Sequence, residues 1–276
     1  MKRRVDVGTV AGLAAALLGI LGGYTLEHGR VGDMLGVSAA LIVIGGSLGA
    51  TLVGHPMGLV RRAFGRSLDL LLAPEDGREE LIEMVVGIAG RARKNGLVSL
   101  EQEALQIEDR FLSKSLTLAV DGMDLQEIRE VMDLEIELRE RRVEEEAKVW
   151  EAAGGFAPTI GIIGAVLGLI VVMRDLGNMQ KVGDGIAAAF VATIYGVGSA
   201  NLLFLPAAAK LKLRGAAARE KQELMLEGVC GIVEGMNPKL IRVKLEAYLG
   251  AEERGKAKGT ERAPAAEAAA TESPVG

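Results

Sequence analysis

Residues 154–173 read GGFAPTIGIIGAVLGLIVVM, an unbroken uncharged run between Glu151 and Arg174. Roughly 20 apolar residues in a helix cross the hydrocarbon core of a bilayer. In lipid, the helix is the form that pairs each backbone N–H with a carbonyl of its own segment. This run is therefore expected to span a membrane from about Gly154 to Met173. Three similar runs lie around it: about Val7 to Leu26, about Gly32 to Gly54, and about Gly185 to Pro206, the last ending against Lys210, Lys212 and Arg214. The first two are separated by a short turn holding Glu27, His28 and Arg30, so they read as a helical hairpin. The expected fold is all-α: a polytopic membrane protein with four transmembrane helices and a helical cytoplasmic domain.

Composition agrees. The chain has 276 residues, 49% of them hydrophobic, yet 25% are charged, so the two kinds must be segregated along it. A net charge of -5 gives no reason to expect nucleic-acid binding. Cys230 is the single cysteine; it can form no intrachain disulfide, has no neighbours at metal-ligand spacing, and reads as a small buried apolar residue. The first apolar run follows Lys2, Arg3 and Arg4 as a signal peptide would, but it is long and a second span follows at once, so it is expected to stay as a span. Basic residues fix the orientation. Lys2 to Arg4, Arg61, Arg62, Arg66, Arg141, Arg142 and the cluster after Pro206 share one side, which places both termini in the cytoplasm.

The resulting division is 1–54 for the hairpin, 55–153 for a cytoplasmic helical loop, 154–206 for the third and fourth spans, 207–250 for C-terminal cytoplasmic helices, and 251–276 for a tail rich in Ala, Glu, Lys, Pro and Gly, expected to be disordered. Pro74 with Asp76-Gly77, and Asn95-Gly96, should break the loop. Ser99 with Gln102, and Asp124 with Glu127, have capping-box spacing. No proline or glycine falls between Asp124 and Trp150, so this helix is expected to run on toward the third span. The mixed charges from Glu135 to Lys148 suit a solvated helix face. Beyond Leu213 a further amphipathic helix is expected, with Leu224, Val229, Ile232 and Val233 on its apolar side; Asn237-Pro238 should end it before a short helix from Lys239 to Leu249.

The spans hold no Asp, Glu, Lys, Arg or His at depth; Asp6, Asp33 and Asp184 stand at their edges. Ion carriers commonly need such a group despite a cost of about 2.5 kcal/mol or more. If this chain works on an ion, the charged carrier comes from another chain. What this chain can contribute are hydroxyls and amides: Ser47, Thr51, Thr159, Thr193, Tyr195, Ser199 and Asn201. Gly45 and Gly49, Gly161 and Ala165, and Gly164 and Gly168 have the four-residue spacing that lets helices approach closely, chiefly within one subunit. Pro158 and Pro206 are expected to break the helix locally, as punctuation or as hinges.

Residues 157–170, APTIGIIGAVLGLI, and 185–196, GIAAAFVATIYG, together with Arg93-Lys94-Asn95-Gly96, Leu100-Glu101 and the run from Glu227 to Lys239, resemble the MotA/PomA family of flagellar stator subunits. The likeness covers nearly all of the chain up to about Leu249. It implies a homo-oligomer, five copies around two of a MotB-type subunit that bears the ion-carrying Asp and anchors to peptidoglycan, in the bacterial inner membrane, with rotation pushing on the rotor protein FliG. It implies that Arg93 and Glu101 contact the rotor, helped by Lys94 and Glu103. It places Pro158 and Pro206 in torque coupling and Thr193 and Ala165 on the ion path. Sodium-type relatives carry a Thr at the position of Ala165 and often a second one at that of Ala192, so the transported ion is expected to be the proton rather than sodium. No cofactor and no enzymatic activity are expected. The alternative is an energy-coupling subunit of the ExbB/TolQ type, which forms rings but lacks a hairpin in the form seen from Val7 to Gly54. A self-contained transporter would need buried charge or unwound helices at mid-membrane, and neither is seen.

Overall fold

The computed structural model describes residues 5–65, 70–73, 77–174 and 176–249. Most of those residues are helical, and the described residues hold no strand beyond one isolated bridge, Val5 to Leu72. Pro74, Asp76, Arg66, Lys2 to Arg4 and the tail from Ala251, each given a role above, lie outside the described residues. Two compact units form, Met1–Pro74 with Arg141–Gly215 and Glu75–Glu140 with Ala216–Gly276. The divisions expected at 153/154 and 206/207 fall inside helices.

In the first unit, α1 (Val7–Leu26) begins at Asp6, whose carboxylate accepts the Thr9 N–H, and ends at a turn where His28 adopts φ 62°. The second span is composite: a 3-10 turn (Val31–Met34), α2 (Val37–Ala40), a π turn (Leu41–Gly45) and α3 (Gly46–Gly54). A short α4 (Met57–Gly65) follows. The third span is the end of α8 (Leu125–Arg174), one helix of 50 residues. The fourth begins as α9 (Met179–Ser199), passes a π turn (Ala200–Phe204) and continues in α10 (Leu205–Val233). All four runs are long and apolar enough to cross a membrane.

Neither proline breaks its helix, contrary to expectation. Pro158 lies inside α8, which continues through it without a break. Pro206 stands past the π turn with one residue between, so the bond it cannot make falls where the ladder is already widened. The amphipathic helix expected to begin beyond Leu213 is likewise the continuation of α10.

Where the third and fourth spans meet, small residues set the distance. A methyl group at Gly196 would stand 2.6 Å from the Ala157 carbonyl oxygen, and one at Gly161 would stand 3.0 Å from that of Ala192. Gly164 faces Ala192 and Gly168 faces Ala189. The second span joins them through Gly46 on Ile160 and Gly36 on Val191. By contrast Gly45 and Gly49 have nothing within 4 Å, so that pair does not pack within the chain as expected. Trp150 lies between Phe64 and Phe204, with ring centroids 4.5 and 6.1 Å away, and donates its indole N–H to the Ala63 carbonyl. Lys210 reaches the Asp6 carboxylate and the Thr9 hydroxyl, and with the Thr9 N–H it holds Asp6 down to about pKa 2.

The second unit packs large side chains. α5 (Arg78–Asn95) carries Glu79 and Glu80 in its first turn and Arg93 and Lys94 in its last, each sign opposite to the helix end it faces. Gly96, at φ +83°, stops it at the expected Asn95-Gly96. A 3-10 turn (Leu97–Leu100), α6 (Glu101–Gln106) and α7 (Arg110–Val120) follow, α7 capped by Asp109. Asp124 starts α8 as expected, accepting the Gln126 N–H. The Ser99 cap does not form. Ser99 sits inside the 3-10 turn, fixed there by the buried Leu100, and its hydroxyl donates to the Gly96 carbonyl. A helix cap needs an extended backbone that this turn denies it. α11 (Pro238–Leu245) starts at Asn237, which accepts the Lys239 N–H, and ends in a 3-10 turn (Glu246–Tyr248). Ile88, Leu112, Leu116, Ile128, Met132, Leu224, Val229, Ile241 and Leu245 form the core.

Candidate functional site

The charged residues singled out in the loop lie on consecutive elements. Arg93 and Lys94 project from the last turn of α5 and Glu101 from the first turn of α6, all exposed. None of the three makes an ion pair with another described residue. Glu103 differs: the Arg91 guanidinium grips both of its oxygens, Nε to Oε2 at 2.8 Å. Glu103 is therefore committed within the chain, and Arg91, which the sequence reading missed, is its partner. The pair joins two separate helices, so no helical spacing in the sequence signals it. Beside Arg93, a cleft of about 220 Å³ opens between the end of α5 and the turn after α10, lined by Ala89, Ala92, Leu97, Ile232 and Met236 among others.

Several other charges of this unit are paired. Glu227 accepts from Arg129 at 2.8 Å and forms an ion pair with Lys244; burial alone would raise its carboxyl, but those two cations hold it below the usual range. Arg242 binds both oxygens of Glu83. Cys230 is closed off in the core, where burial pushes its thiol up to about 11.

In the spans, the contact of Gly164 on Ala192 fixes the register. Ala165 and Thr193 are the next residues along their helices, both half-buried. The Thr193 hydroxyl donates to the Ala189 carbonyl at 3.3 Å, which leaves its oxygen free to accept. Tyr195 serves as a tie: its hydroxyl donates to the Met34 carbonyl at 2.8 Å and accepts the Gly36 N–H at 3.2 Å, fastening α9 to the start of the second span. Ser47 and Thr51 are fully buried and donate to the carbonyls four residues back. Thr159 and Asn201 remain exposed. Among the described residues, no group of three or more His, Cys, Asp or Glu comes together as a metal site.

Among the described residues, this arrangement offers a hydroxyl beside a tight seam that has no carboxylate of its own, and exposed charges at the end of α5 and the start of α6. Sequence comparison finds the signature of the MotA/TolQ/ExbB proton channel family over residues 103–225 and that of the motility protein A N-terminal region over residues 10–96. Motility protein A of Helicobacter pylori is 35% identical over 245 residues, covering 89% of this chain and 95% of the relative. Motility protein A of Bacillus subtilis is 34% identical over 253 residues, 91% and 93% of the two chains. The solved flagellar MotAB stator complex of Bacillus subtilis superposes with a TM-score of 0.84 at 34% identity, covering 91% of this chain and 99% of that one.

Proposed function

Because the chain belongs to the motility protein A family, within the MotA/TolQ/ExbB proton channel family, we propose that it builds the ring of a flagellar stator in which, with a MotB-type subunit, proton flow across the inner membrane drives torque on the rotor. The observation that carries this reading is the lack of any ionisable side chain at depth in the four spans, beside a seam that presents Thr193. A partner's carboxylate supplies the charge, and Thr193 accepts or relays its hydrogen bond. The motility-type N-terminal signature falls on the hairpin that separates this reading from the ExbB/TolQ alternative.

The ring has five copies and both termini lie in the cytoplasm, so the second unit faces the rotor protein FliG. Arg93, Lys94 and Glu101 make that contact, with Glu103 in a supporting place through Arg91. Pro158 and Pro206 flex continuous helices as torque is passed on. The ion is the proton: Ala165 brings no oxygen to the seam, and a sodium ion stripped of water without replacement ligands costs several kcal/mol.

The experiment is ion flux in liposomes holding the full chain with and without its MotB-type partner. Flux appears only with the partner and follows the proton gradient. Conductance by this chain alone would overturn the reading, and flux that follows sodium after collapse of the proton gradient would overturn the choice of ion.

A further inference from the structure

The short helix α4 stands where the second span ends. That span closes at Gly54, His55 turns the chain with extended backbone, and α4 begins at Met57. Its inner face, Val60 and Ala63, packs into the core around Trp150, whose indole N–H binds the Ala63 carbonyl. Trp150 lies four residues before Gly154, at the mouth of the third span. The contact therefore holds α4 at the level where both spans leave the membrane, a depth that tryptophan favours. The outer face is of another kind. Met57, Gly58, Arg61, Arg62 and Gly65 fall about one turn apart, and all are exposed. A methyl group at Gly58 or Gly65 would meet nothing within 4 Å, so open space lies one turn to either side of the arginines. Val53, 91% exposed, and Met57, 67% exposed, give this face an apolar border toward the span. Other cations at this level are engaged within the chain. Lys210 holds Asp6 and Thr9, Lys212 pairs with Glu151 at 2.6 Å, and Arg214 donates to the Leu70 and Leu72 carbonyls. Arg61 has no ion pair among the described residues. Arg62 stands 4.0 Å from Glu146, the outer limit of a pair, with its side chain 65% exposed.

We propose that Arg61 and Arg62 bind the phosphate of an anionic phospholipid in the leaflet from which the large loop emerges. The guanidinium fork matches phosphate oxygens two at a time, and the glycines on either side leave the headgroup room. The acyl chains run beside Val53 and Met57, as on an amphipathic helix lying at the membrane surface. Charge and apolar border thus fit the two ends of one lipid molecule. A second copy of this chain fits less well, because it would have to bring carboxylates to the same level. The acids that stand there, Asp6 and Glu151, are already held by Lys210 and Lys212. The inference rests on the four spans alone and stands whether or not the stator reading does.

The test releases the full chain, purified with its MotB-type subunit, from nanodiscs of phosphatidylglycerol and phosphatidylcholine in equal parts. Native mass spectrometry then reads the enrichment of retained phosphatidylglycerol over phosphatidylcholine. Each arginine replaced, by Arg61→Gln or Arg62→Gln, lowers that enrichment about fivefold, the worth of one cation at an anionic surface. Lys212→Gln removes the same charge from a cation already paired, and leaves the enrichment unchanged. An equal loss in all three variants would mean diffuse attraction and no site; retention at the wild-type level in both arginine variants would refute the site outright. Excess inorganic phosphate leaves the lipid in place, and its displacement of the lipid would reassign the arginines to a soluble anion and overturn the proposal. A second measurement needs no variant: phosphatidylglycerol with a photoreactive headgroup labels the peptide that contains α4 in the unaltered chain. Labelling that avoids Met57–Gly65 would sink the proposal whatever the variants do.

Discussion

Ile128, Met132 and Ile136 stand four residues apart on α8, and each is shut away from solvent among large aliphatic neighbours. Further along the same helix, Ala153, Ala157, Gly161, Gly164 and Gly168 repeat at nearly the same spacing and make its contacts there. One helix thus uses two packing alphabets. In water, burial of apolar area drives association, so bulky side chains are favoured. In lipid that drive is absent, and close backbone approach with van der Waals contact takes over, so small ones are favoured. Helical spacing is common to both halves; what changes is the solvent against which the contact competes.

The two halves should break in opposite ways. The first is sensitive to removal: Ile128→Ala leaves a cavity in a fully closed site and should cost about 2–5 kcal/mol. The loss reads as faster amide exchange in α7 and α10. Equal protection in wild type and variant would mean that the core is not shared across these helices. The second half is sensitive to addition: Gly196→Ala should cost about 1–3 kcal/mol, because its methyl would meet backbone atoms of Ala157, Pro158 and Gly161, which cannot rotate away. Gly45→Ala, with open space around it, serves as the matched control and should change stability by less than about 1 kcal/mol. Thermal melting of the purified ring measures both; equal shifts would refute the seam. The smallest effect concerns charge in the water-facing unit. Glu227 titrates below its unfolded range because Arg129 and Lys244 outweigh its burial. Its contribution is therefore complete above about pH 4.3 and lost as pH falls through the lower folded value. Glu227→Gln should flatten the acid side of the stability curve of α10, as read by hydrogen exchange at stepped pH.

How much was legible beforehand follows the same division. The four spans declared themselves because lipid tolerates so few sequences, and a run such as 154–173 has no competing reading. The end of α5 at Asn95-Gly96 and the break at Asn237-Pro238 were legible because the chemistry that stops a helix is local. Ser99 misled because its capping spacing was correct, yet burial of Leu100 decided the turn. Pro158 and Pro206 misled because local rules describe an isolated helix, whereas in the fold Pro158 stays within α8 and Pro206 stands just past a π turn at 200–204. At the candidate site, Arg93, Lys94 and Glu101 were named from resemblance, and all three are exposed. The hold of Arg91 on Glu103 and of Tyr195 on Met34 were not legible, since each joins elements whose relative register only the folded chain sets.

The buried Cys230 gives the molecule a silent thiol. It is the chain's one cysteine, it has no access to solvent, and a thiol raised to about 11 holds almost no thiolate at neutral pH. Alkylating reagents should therefore pass it by for as long as α10 stays packed. A cysteine placed at an exposed position such as Val98 could carry a fluorophore in the otherwise native sequence, without removal of any thiol. The native one then becomes a clock: its slow labelling in a pulse of reagent would count the openings of the water-facing core, and would do so in the assembled machine.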